Sequence, residues 1–136
     1  MLFRSRSAAE RVESIKSFTG QAFRLVAPGQ PLLRMPDDWI VLLPQDAFAG
    51  FDEATPFMPA RGLLQGAVLR HGAGRVAVFG EAAMFTSQAV RRPDGSIVRI
   101  GLSDPEAAGN AQFLLNVMHW LSTEKGTFTF SAPPKR

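Results

Sequence analysis

Glu81 is the only acidic residue between Glu53 and Asp94, and with Gly80 it follows the apolar run Val76 to Phe79. In open α/β sheets, ligands gather beyond the carboxyl ends of parallel strands. A carboxylate placed there can act as an acid or base, or accept hydrogen bonds from a ligand. Thr86 and Gln88 lie close by in sequence and could add neutral hydrogen bonds. Glu81, Thr86 and Gln88 are therefore the candidate ligand-binding set. The competing use of Glu81 is structural, capping or bridging the adjacent loop. That use carries the greater weight, because structural carboxylates also occupy such strand ends.

The other chemistry-bearing residues fall short of a site. His71 and His119 are the only histidines, and no pair has metal-ligand spacing. Gly72-Ala73-Gly74-Arg75-Val76-Ala77 fits a G-x-G-x-x-A dinucleotide pattern. That pattern needs a helix after it to meet the phosphates, and here a strand follows. Gly101-Leu102-Ser103 begins like a nucleophile elbow, but Pro105 stands where the second Gly is required. No catalytic residue, metal site or cofactor is assigned.

A length of 136 residues suits one domain, and 46% hydrophobic residues is too many for intrinsic disorder. Twelve of the fifteen basic residues are Arg, and they are scattered rather than concentrated on one run. That pattern speaks for a solvated surface and against nucleic acid. No apolar run approaches the roughly 18 to 20 residues of a membrane span. The absence of Cys removes disulfides, thiolate metal sites and Cys nucleophiles together. A small-molecule or protein partner stays open.

The elements that would position Glu81 are predicted as follows. Val12 to Phe23 is extended. Pro28-Gly29-Gln30-Pro31 is a turn, and Leu32-Leu33 and Trp39 to Leu43 are short buried strands. Leu63 to Arg70 and Arg75 to Phe79 form an antiparallel hairpin about the turn His71 to Gly74. The second of these strands is expected to be covered on both faces, being apolar throughout. Residues 81–109 make a long connection, in which Phe85 to Val90 and Ile97 to Ile100 can pair about the turn Arg92 to Ser96. Asp104, Pro105 and Glu106 start a final helix that runs to about Ser122, with Gly126 as its stop. Gln112, Asn116 and His119 line one narrow stripe, so the rest of that helix is expected to be buried, Leu114 and Met118 included. Met1 to Ser5 match the translation of a common sequencing adapter, and residues 1–6 are read as a non-native leader. Residues 7–125 are a partial α/β domain and 126–136 the tail, expected to be disordered from Ser131 to Arg136.

Three blocks resemble a bacterial group of unknown function within the class I glutamine-amidotransferase-like superfamily. They are Ser17 to Phe23, Gly72 to Thr86 and Gly109 to Leu121. The resemblance implies a flavodoxin-like α/β fold, of which this chain would be the C-terminal portion, with the early βαβ units missing before Val12. Amidotransferases of that superfamily use a Cys nucleophile, and a chain without Cys cannot carry that chemistry. Three functional readings follow. The first is a non-catalytic binding or scaffolding domain. The second is a hydrolase or transferase whose catalytic groups lie in a missing N-terminal half. The third is an interaction module that uses the 81–109 loop.

Overall fold

The structure is a computed structural model and describes residues 2–3, 11–46, 50–122 and 130–131. It is mixed α/β, with antiparallel strands in small sheets and one C-terminal helix. The strands are β1 (Leu2–Phe3), β2 (Gln30–Arg34), β3 (Ile40–Leu42), β4 (Phe57–Pro59), β5 (Leu64–His71), β6 (Gly74–Phe79), β7 (Ser87–Arg91), β8 (Ile97–Gly101) and β9 (Phe130–Ser131). The helix α1 spans Ala108–Ser122. β1 and β9 pair with each other.

The three-stranded sheet β2-β5-β6 is the frame. β5 is its centre, and five successive residues from Leu64 to Val68 are buried. The predicted hairpin is present in register, with Ala67 opposite Val78 and His71 opposite Gly74. β6 departs from expectation. It is an edge strand whose residues alternate in burial, and Val76 and Val78 are 38% and 39% exposed. An apolar run cannot by itself distinguish two covered faces from one.

One face of the sheet carries the core. Leu32, Leu33 and Val68 meet Phe113, Val117 and Trp120 of α1, and Val12 and Met84 close the cluster. Phe79 stands edge-on to Phe85 and Phe113 with centroids 4.9 and 5.8 Å away, an arrangement aromatic rings favour. Arg75 lies over the Trp120 ring at 5.4 Å and donates to the Trp120 carbonyl, which fastens the end of the helix to β6.

The helix starts as its sequence predicts. Asp104 accepts from Glu106 N, Pro105 takes the first position, and a 3-10 turn Pro105–Ala107 leads into α1. The predicted burial of its faces is wrong. Asn110, Phe113, Val117 and Trp120 face the core, while Leu115 and Met118 are 61% and 56% exposed and Leu114 is half-buried. Gln112 and Asn116 bond each other at 2.9 Å on the flank. The polar stripe marks an edge of the buried face, not the solvent side. The expected stop at Gly126 lies outside the described residues, as does the tail beyond Ser131.

Two hairpins project from the frame. β7 pairs with β8 as predicted, and Gly95 takes the left-handed corner of their turn at φ +84°. β3 pairs with β4, not with β2. Trp39 and Ile40, expected to be buried, are 53% and 51% exposed. Residues 11–23 form no strand, bend at Thr19 and turn through Gly20 at φ +106°; a bridge links Phe23 to Leu64.

Candidate functional site

Glu81 is 4% exposed, at the end of the β5-β6 hairpin. Its side chain does not open toward solvent. Oε1 accepts from two successive backbone amides, Phe18 N at 2.9 Å and Thr19 N at 3.0 Å. Paired neighbouring N–H groups make a small anion-binding concavity, and here the anion is the chain's own carboxylate. Ser17 Oγ lies 2.6 Å from Glu81 Oε2 and 2.7 Å from Gln65 Oε1. Its single proton serves one of those acceptors at a time. Gln65 Nε2 donates to Thr19 O at 3.0 Å. This accounts for a buried glutamine in the middle of an apolar strand, since a buried amide needs partners for both ends.

A second amide completes the arrangement from the helix side. Asn110 is fully buried and binds the backbone of Lys16 in both directions, accepting from its N at 2.9 Å and donating to its O at 2.8 Å. Asn110 Nδ2 also donates to Met84 O at 3.1 Å. Thus four consecutive residues, 16–19, are held by side chains from the sheet, the hairpin end and the helix. An irregular segment has no ladder for its backbone groups, and these side chains stand in for one. Among the described residues, no buried side-chain nitrogen or oxygen lacks a partner.

Two glycines let the segment approach. A Cβ on Gly80 would collide with Gln21 O, and one on Gly109 would collide with Ser14 O. Gln21 N in turn donates to Gly80 O at 2.8 Å. Each glycine directly precedes a clamping residue, Glu81 or Asn110, so backbone approach and side-chain bond belong to one device.

At the rim, Lys16 Nζ bonds Asp104 Oδ2 at 2.8 Å and Glu106 Oε2 at 2.6 Å. The bond to Asp104, then the bond to Glu106, raises the Lys16 ammonium above its ordinary pKa. Reciprocally, Lys16 first and the Glu106 N–H second hold the Asp104 carboxyl below the ordinary carboxylate value.

Within the candidate ligand set, Thr86 and Gln88 bond each other while Glu81 bonds Ser17, Phe18 and Thr19. Thr86 Oγ1 donates to Ala83 O at 2.9 Å, and Gln88 Nε2 donates to Thr86 Oγ1 at 2.6 Å. These two residues bond each other beside β7, and Glu81 spends its oxygens on residues 17–19. Sequence reasoning found Glu81 but missed Ser17, Gln65 and Asn110. The available signal was a buried-type polar residue inside an apolar strand or helix, one per element. Among the described residues, no group of three His, Asp or Glu side chains could hold a metal. No helix in the described residues is long and apolar enough to cross a membrane.

Compared with protein-family models, with curated proteins and with solved structures, the chain matches none.

Proposed function

We propose that this chain is a non-catalytic binding or scaffolding α/β domain. The observation that carries this reading is the engagement of Glu81: its two oxygens hold Ser17, Phe18 and Thr19, leaving the best-placed carboxylate as a structural clamp. An acid or base must reach the substrate proton, and a carboxylate bound to its own backbone does not. The finer reading is the C-terminal portion of a flavodoxin-like, glutamine-amidotransferase-like domain. It is supported by β6, whose apolar residues Val76 and Val78 are uncovered where a two-sided sheet would bury them.

Thermal melts of wild type and Glu81→Gln against a panel of nucleotides, sugar phosphates and carboxylic acids test the proposal. No compound should raise the melting temperature in a Glu81-dependent way, and the variant should melt lower. A compound that stabilises wild type but not Glu81→Gln would give the carboxylate a ligand and overturn the reading.

An interaction module built on residues 81–109 is the second reading, favoured by one observation. All five residues of β7 are exposed, so this hairpin presents a surface to solvent. Long ordered excursions in compact domains are often functional.

A further inference from the structure

Part of the acidic charge of this chain is grouped in one stretch. Residues 35–60 hold five of its twelve acidic residues, Asp37, Asp38, Asp46, Asp52 and Glu53, and none of its fifteen basic ones, although Arg34 and Arg61 border the stretch and Arg61 Nε lies 3.9 Å from Asp37 Oδ2. All five acids are exposed. The same stretch contains the β3-β4 hairpin and exposed apolar side chains: Trp39, Ile40, Phe51 and Phe57 are 53%, 51%, 65% and 63% exposed, and the register, Ile40 opposite Pro59 and Leu42 opposite Phe57, puts Ile40 and Phe57 on one face. A two-stranded hairpin is marginal by itself in water, and large exposed apolar patches rimmed by polar groups mark interaction sites. Aromatic anchors within a charged rim are the composition of a protein interface.

The complementary surface is on the same chain. The β7-β8 hairpin carries Arg91, Arg92 and Arg99 against one acid, Asp94, and all four are exposed. Ile97, directly opposite Arg91 in the ladder, lies on the same face as Arg91 and Arg99 and is 55% exposed. The two hairpins belong to separate sheets and share no strand pairing.

We propose that the acidic, aromatic β3-β4 hairpin of one copy docks on the basic, apolar β7-β8 hairpin of a second copy. The contact is heterologous: each copy offers one surface and uses the other, so assembly proceeds head to tail and ends in a ring or continues as a filament. Opposite charge steers the encounter and fixes the register, and apolar burial supplies the holding energy. This inference rests on the binding-domain reading and names a second copy of the chain as the partner.

Sedimentation of three proteins tests it: wild type, Asp37→Lys/Asp38→Lys, and Arg91→Glu/Arg92→Glu. Each changes only exposed side chains, and thermal melts confirm folding. Wild type should form concentration-dependent oligomers that weaken at least about tenfold between about 0.05 M and about 0.5 M NaCl, as screening predicts. Each charge-reversed protein alone should be monomeric. Mixing the two should restore association, because the basic hairpin of one then meets the acidic hairpin of the other. A wild type that stays monomeric overturns self-association, while the binding-domain reading is judged separately by the Glu81→Gln melts. Oligomers that persist in both reversed proteins alone also overturn it, placing the contact on another surface such as Leu115 and Met118 of α1.

Discussion

Asn110 binds the backbone of Lys16 from both sides, accepting from its N and donating to its O. This is the pairing that a neighbouring strand would supply, made here by one amide from a helix 94 residues away in sequence. Asn110→Asp keeps the shape and the acceptor but loses the donors to Lys16 O and Met84 O. It should cost at least about 1 to 3 kcal/mol, the usual penalty for orphaned buried groups, because a fully buried carboxyl group then faces two carbonyl oxygens. Chemical denaturation of the two proteins measures it. Equal midpoints would mean that shape, not hydrogen bonding, holds the segment.

Gly109→Ala offers a test in which two effects have opposite sign. In an exposed helix interior, alanine is favoured over glycine by about 1 kcal/mol. Here the new Cβ meets Ser14 O, so the substitution should instead destabilise by about 1 to 3 kcal/mol, as overpacking does. Gly50→Ala is the control, because nothing lies within 4 Å of its Cβ position. Thermal melts should separate the two variants clearly.

The faces of α1 make a third comparison. Phe113→Ala should cost about 3 to 5 kcal/mol, because its ring is fully buried against Phe79 and Phe85. Met118→Ala and Leu115→Ala should change stability by about 0.5 kcal/mol or less in the monomer, since both side chains stand in solvent. Urea unfolding at low protein concentration checks both.

Asp104 links the clamp to pH. Its carboxyl is held below the ordinary value in the folded chain, chiefly by Lys16. A group depressed on folding stabilises above its unfolded pKa and loses that contribution as pH falls through its folded pKa. Stability should therefore fall on acidification below about pH 4, where an unperturbed Asp protonates. Asp104→Asn should flatten that part of the profile and leave pH 6 to 8 unchanged in shape. Lys16, raised by its two carboxylates, has the opposite sign: its contribution is present below the ordinary lysine value and is lost as pH rises through its folded pKa. Melting temperature measured across pH reads both limbs.

The legible parts of the fold were local. The turn residues Gly72 and Gly95, the cap Asp104 and the helix start Pro105 act through their own backbones, so their types reveal their places. What stayed hidden depends on distant partners. Val76 and Val78 look like core until β6 is found at the sheet edge, and Leu115 and Met118 look buried until Asn110 is seen facing inward. Asn110 misled the reading of the helix because its partners, Lys16 and Met84, are 94 and 26 residues away. Glu81 was legible as important through its position after a strand. Its role was decided by Ser17, Phe18 and Thr19, which periodicity does not connect to it.

The most direct test of the account is amide hydrogen exchange at Phe18 and Thr19 in wild type, Glu81→Gln and Glu81→Ala. Both amides donate to Glu81 Oε1. If the carboxylate is a structural clamp, both should be protected in wild type even though residues 11–23 form no regular strand. Glu81→Gln should keep part of that protection and cost about 1 to 3 kcal/mol, because a neutral carbonyl still accepts but more weakly. Glu81→Ala should speed exchange at both positions by about tenfold for each 1.4 kcal/mol lost, with distant amides of β5 less affected. Unprotected Phe18 and Thr19 amides in wild type, or protection that survives Glu81→Ala, would contradict the clamp and return Glu81 to the list of groups free to bind a ligand.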